Sequence, residues 1–261
     1  MLRLLCVLAL AALVAAVAAR ADGDPASDLL AVQSVYFPYE APSAQARTTL
    51  QQAVRAVYLD HDRVRVALVY KAEDLGAIPS LFGKPAEYAR FLGLEMQFYY
   101  IGPLLVVMPS GFGIFDGGRS TAAEQRVLSS LSVDGSSPDA LTHSATVGVE
   151  GLRAAHALTS ADVLRPQAFT STETVIPGKP ARLRYYVYDD SGWTRAIVRV
   201  KTGSSSLAKL VSPSRFGIGT RHLAVTWKVP KTLPAGKLRY CVLAFDPTGN
   251  RSKQTCAPIV H

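Results

Sequence analysis

Four carboxylates stand where an α/β sheet would use them. Glu40 follows the apolar run from Gln33 to Pro38, Glu73 and Asp74 follow Val64 to Tyr70, and Asp116 follows Phe112 to Phe115. Open α/β sheets bind ligands at the carboxyl ends of their strands, so Glu40, Asp74 and Asp116 are the candidate ligands for a hard cation such as calcium. The alternative is that they are solvated loop residues, as most Asp and Glu are. Asp60-His61-Asp62 precedes the second strand, which puts it at the opposite edge, at the end of a helix. The glycines of Gly111-Phe112-Gly113 and Gly117-Gly118 match neither the dinucleotide nor the P-loop spacing and predict turns. Ser110 lies in Pro-Ser-Gly-Phe and not in a nucleophile elbow, and His143 and His156 have no metal-ligand spacing. No catalytic residue emerges.

The elements that must position these residues alternate. Ser43 to Tyr58 carries Ala46, Leu50, Ala53, Val54 and Val57 at three- and four-residue spacing, one apolar helix stripe. Val64 to Tyr70 is apolar apart from Arg65, as suits a strand covered on both faces. Lys84 to Gln97 reads as a second helix with proline near its start, and Leu104 to Met108 as a third strand. Pro109-Ser110-Gly111 turns the chain into an antiparallel Phe112 to Phe115. Helices from about Ser120 to Leu131 and from about Pro138 to Leu158 complete an α/β layer domain over residues 28–158.

The strand Val64 to Tyr70, the helix with Glu87-Tyr88-Ala89, then Gly102 to Met108 and Gly111-Phe112-Gly113 follow one another in an order that resembles the TPM family of extracytoplasmic α/β domains. That resemblance implies a calcium-binding acid phosphatase or a factor in membrane-protein upkeep. The chain departs from the family pattern at Tyr100-Ile101-Gly102-Pro103, where an Asn-Gly is usual, and at Pro109-Ser110-Gly111, where an Asp-Arg pair is usual.

The chain opens with Arg3, 16 apolar residues from Leu4 to Ala19, and Ala19-Arg20-Ala21 before Asp22-Gly23-Asp24-Pro25. This is the layout of a secretory signal peptide over residues 1–21; the alternative is an uncleaved anchor, although a spanning helix needs roughly 20 residues. Export makes the two later cysteines a disulfide pair. Charge then divides the chain. Residues 22–160 carry 10 Lys and Arg against 15 Asp and Glu, a net of −5, whereas residues 161–261 carry 16 against 5, a net of +11.

After a linker over residues 159–168, residues 169–261 show short β-rich runs with turn signals between them, the pattern of an immunoglobulin-like β-sandwich. If Thr248-Gly249 is a hairpin tip, Cys241 and Cys256 face each other across adjacent strands, at the separation a disulfide needs. The run from Thr226 to Cys256 resembles bacterial immunoglobulin-like or fibronectin type III-like modules. The fold class is therefore α+β multidomain, an α/β layer domain followed by a sandwich.

Arg182, Arg184, Arg199, Lys201, Lys228, Lys237 and Arg239 form the basic set of this second half. Such a face attracts an anionic envelope polymer, a membrane surface or an acidic protein, the first domain included; the alternative is a solvated face that guards sheet edges. Outside the cell nucleic acid is excluded as a partner. The reading is a secreted or envelope-associated protein that binds and does not catalyse. The alternative is a metal-dependent phosphatase with calcium as cofactor.

Overall fold

The computed structural model describes residues 24–158, 163–217 and 221–261, so the signal-peptide reading of residues 1–21 lies outside the described residues. The fold is mixed α+β with three sheets among those residues.

In the N-terminal half the helices are α1 (Pro25–Leu30), α2 (Ala44–Leu59), α3 (Pro85–Glu95), α4 (Ala122–Leu128) and α5 (Pro138–Ala154). The strands are β1 (Val35–Tyr36), β2 (Arg65–Leu68), β3 (Pro103–Met108) and β4 (Gly111–Asp116). They pair in the order β1-β2-β3-β4, parallel up to β3 and antiparallel at β4. Ser43 caps α2 by accepting the Ala46 N–H, and Ser137 caps α5 by accepting that of Ala140, each satisfying an orphan first-turn donor. Period-two alternation splits the sheet: Val66, Leu68, Leu105 and Val107 pack with Leu50, Val54 and Val57 of α2 and Val149 of α5. Ala67, Val69, Leu104 and Val106 pack on the other face with Leu30 of α1 and Tyr88 and Leu92 of α3. Each fully buried Leu or Val contributes about 1.5–3 kcal/mol.

The approach of α3 to β4 depends on glycine. A Cβ on Gly113 would fall 2.0 Å from the Pro85 carbonyl oxygen, and one on Gly93 would fall 2.1 Å from a Phe115 ring carbon. Gly111, at φ 134°, supplies the turn that starts β4.

In the C-terminal half the strands are β5 (Gln167–Thr170), β6 (Glu173–Thr174), β7 (Pro180–Tyr188), β8 (Trp193–Thr202), β9 (Ser205–Phe216), β10 (Arg221–Lys228), β11 (Leu238–Phe245) and β12 (Thr255–Val260). One sheet has the order β10-β7-β5 and the other β6-β12-β11-β8-β9. Leu183, Tyr185, Val187 and Trp227 of the first meet Val198, Val200, Tyr240, Val242 and Ile259 of the second in one buried core. The first strand passes between sheets at residues 171–172. Glu173 covers the break: its carboxylate accepts the Arg184 N–H at 3.2 Å, and β6 pairs with β12. Cys241 and Cys256 are directly opposed on β11 and β12 and joined by a disulfide. Asp246 accepts the Asn250 N–H at 2.8 Å and the Thr248 hydroxyl at 2.9 Å, which closes the hairpin turn.

The two halves meet at the amino edge of the N-terminal sheet. Arg63, just before β2, forms a buried ion pair with Asp190, in the turn after β7. Trp193 donates its indole N–H to the Tyr58 carbonyl at 2.7 Å, and the Tyr188 hydroxyl donates to the Tyr99 carbonyl at 3.0 Å. Phe216 packs against Tyr58 and Trp193, with ring centroids 6.0 and 5.4 Å apart, and the Arg55 guanidinium lies over its face. Among the described residues no helix is long and apolar enough to cross a membrane.

Candidate functional site

The three candidate metal ligands do not share a site. Glu40 and Asp74 lie beyond the carboxyl ends of β1 and β2, as expected, but Asp116 does not join them. It ends β4, which runs antiparallel, and pairs with Pro103 at the start of β3, so it belongs to the opposite edge of the sheet. Each of the three has a local role. Asp74 accepts the backbone N–H groups of Tyr70 and Lys71 at 2.8 and 3.0 Å, fixing the turn that leaves β2. Glu40 pairs with exposed Lys71 at 3.4 Å. Asp116 is buried with Arg119 3.8 Å away, and burial raises its carboxyl above the usual range, with Glu124 pushing the same way and Arg119 opposing. Among the described residues no three His, Cys, Asp or Glu side chains are grouped to hold a metal. The calcium site composed of Glu40, Asp74 and Asp116 is therefore corrected: strand direction separates its members.

The basic set is corrected as well, because it occupies two faces and not one. Core residues Leu183, Tyr185 and Val187 point inward from β7, so Arg182 and Arg184 point outward from the three-stranded sheet, joined by Lys228 on β10. Val198 and Val200 point inward from β8, so Arg199 and Lys201 point outward from the five-stranded sheet. There Arg239 of β11 stands opposite Lys201, and Lys209 of β9 stands opposite Arg199. Lys209 was not legible as part of this face, since its strand is interrupted by Pro213 and alternates weakly.

These four cations occupy two adjacent rows. Strands spaced about 4.8 Å apart and residues two positions along, about 6.7 Å, set the backbone grid that carries them. Strands β8, β9, β11 and β12 contain no Asp or Glu, so no carboxylate on the same four strands neutralises the patch. Like charges directly opposed across strands destabilise a sheet. Beside them an open hollow of about 750 Å³ is lined by Lys237, Arg239, Cys256, Pro258 and Val260.

No family model matches the chain, and no curated protein matches it. Among solved structures it is similar to the sporulation control protein Spo0M of Bacillus subtilis, at 8% identity and a TM-score of 0.27, over 37% of this chain and 48% of that one. It is also similar to the SrpA adhesin of Streptococcus sanguinis, at 16% identity and a TM-score of 0.26, over 39% of this chain and 58% of that one. A CARDB domain from Pyrococcus furiosus, solved with di-metal ions, gives 13% identity and a TM-score of 0.23, over 39% of this chain and 98% of that one. The chain thus spans about half the length of the first two. At these scores the likenesses carry no argument about function, and the TPM resemblance rests on sequence order alone.

Proposed function

We propose that this chain is a secreted or envelope-associated binding protein without catalytic activity, whose C-terminal half is an immunoglobulin-like sandwich that engages a linear anionic polymer. The observation that carries this reading is the outer face of the five-stranded sheet, where Arg239 opposes Lys201 and Arg199 opposes Lys209 on strands that hold no carboxylate. An uncompensated cation grid costs stability in isolation and gains from a polyanion that neutralises several charges at once. The disulfide between Cys241 and Cys256 supports an oxidising compartment. The buried junction at Arg63 and Asp190 supports a scaffold role for the N-terminal half, which covers its sheet edge with the second half.

Long-chain inorganic polyphosphate tests the charge requirement without offering a sugar ring. The full chain without residues 1–21 is expected to bind it, with affinity falling steeply as salt screens the contacts. Arg199→Ser, Lys201→Ser, Lys209→Ser and Arg239→Ser together are expected to weaken binding by about tenfold or more, because four contacts at roughly 0.5 kcal/mol each exceed the roughly 1.4 kcal/mol of one decade. Salt-independent binding, or an unchanged affinity in the fourfold variant, overturns the reading.

A further inference from the structure

The outer face of the three-stranded sheet carries a different pattern. Phe169 of β5 stands opposite Tyr186 of β7, and Tyr186 stands opposite His222 of β10. Three ring side chains therefore occupy one row across three adjacent strands, a backbone span of about 10 Å. All three point away from the core, since Ala168, Tyr185, Val187 and Trp227 fill it. Phe169 keeps 47% of its surface exposed. The Tyr186 and His222 rings are 4.0 Å apart between centroids, with the Tyr186 oxygen 2.7 Å from His222 Nε2, so the central ring is held in place. Two residues along β7 is Arg184, its side chain 64% exposed, and two further is exposed Arg182, opposite Thr226.

We infer that this row is a binding site for an acidic saccharide chain, distinct from the cation grid on the opposite sheet. The warrant is complementary chemistry on one face. The C–H bonds of a pyranose ring are weakly positive and match the negative face of an aromatic ring. Arg184 and Arg182 lie along β7 to one side of the ring row, within reach of a carboxylate substituent on a sugar stacked there, and a guanidinium fork matches a carboxylate in geometry. Glu173 holds Arg184 in place, accepting its backbone N–H at 3.2 Å and pairing with its guanidinium at 3.5 Å, so exposed Arg182 is the cation beside this row with no carboxylate pair among the described residues.

The test uses the full chain without residues 1–21 and two hexasaccharides, an oligogalacturonate and neutral maltohexaose, titrated by calorimetry. The oligogalacturonate is expected to saturate and to bind at least about tenfold more tightly than the neutral chain. Phe169→Ala with Tyr186→Ala is expected to weaken it about tenfold, as the loss of two ring contacts implies. Because both side chains face outward, this variant is expected to keep the wild-type melting temperature and polyphosphate affinity. Equal binding of both hexasaccharides overturns the acidic class. Unchanged oligogalacturonate affinity in the double variant, or no saturation with either chain at about 10 mM, far above a Kd in the micromolar range, overturns the site. If the double variant melts lower, Phe169→Ser alone, which removes the exposed outer ring, is expected to weaken oligogalacturonate binding severalfold at the wild-type melting temperature, and an unchanged affinity there overturns the site. A polyphosphate failure with oligogalacturonate binding intact would overturn the cation-grid reading and leave this one standing.

Discussion

Arg63 and Asp190 lie 127 residues apart in sequence and form one ion pair whose side chains are 3% and 0% exposed. The pair joins the acidic half to the basic half at the amino edge of the first sheet. Burial raises the Asp190 carboxyl above the usual range, while Arg63 and Arg65 pull it back down. The junction was invisible in the sequence, because a buried arginine before a strand and an Asp-Asp turn carry no local signal of each other.

Removing one partner should be much worse than removing both. Arg63→Met is expected to destabilise the chain by about 3–5 kcal/mol, since it removes the direct ion-pair partner of a buried carboxylate, whereas Arg63→Met with Asp190→Leu should recover most of that loss. Urea unfolding of the three proteins gives the comparison. A double variant as unstable as the single one would contradict the account.

Asp116 makes a pH prediction with a definite sign. Its folded carboxyl is raised above the 3.8 of a free one, chiefly by burial. Between that value and the folded one, the native state holds a proton that the unfolded state has released, so this group lowers stability as pH rises through the window and has no further effect above it. Asp116→Asn is therefore expected to be more stable than wild type at pH 7 and to lose that advantage at acid pH. A calcium ligand would behave in the opposite way, with Asp116→Asn removing a calcium-induced rise in Tm.

The disulfide should matter chiefly to the second half. Reduction, or Cys241→Ser with Cys256→Ser, opens the loop that the bridge closes over a sequence separation of 15 residues and is expected to cost about 3 kcal/mol. Hydrogen exchange should report the loss in β11 and β12 before it reaches β2 and β3.

Gly113→Ala tests the tight seam between α3 and β4. The added methyl would meet the Pro85 carbonyl at 2.0 Å, a backbone atom with little freedom to move. A loss of about 3 kcal/mol is expected, the upper end for overpacking. Gly118→Ala at φ 84° has open space around it and should pay only for its backbone conformation.

Much of the layout was legible because local rules agree with it. The stripe from Ala46 to Val57 became α2, with Ser43 as its cap, and the pairing rule that put Cys241 against Cys256 holds from Leu238 with Ile259 to Val242 with Thr255. What failed was geometry that depends on strand direction and sheet membership. Asp116 is the last residue of an antiparallel hairpin strand, so it returns to the edge where β3 begins. Alternation placed Arg182, Arg184, Arg199 and Lys201 outward, yet only the order of strands assigns the first two and the last two to different sheets. The ring row of Phe169, Tyr186 and His222 was hidden for the same reason, as its members come from three strands separated by up to 53 residues in the sequence.

The most direct test of the central claim compares the two faces in one polyphosphate titration. Charge removal on the five-stranded sheet, at Arg199, Lys201, Lys209 and Arg239, is set against removal on the other, at Arg182 and Lys228. The account predicts that the first variant loses about tenfold or more in affinity while the second stays within about twofold of wild type. Equal losses in proportion to the charge removed would contradict it, because binding would then follow net charge and not a site.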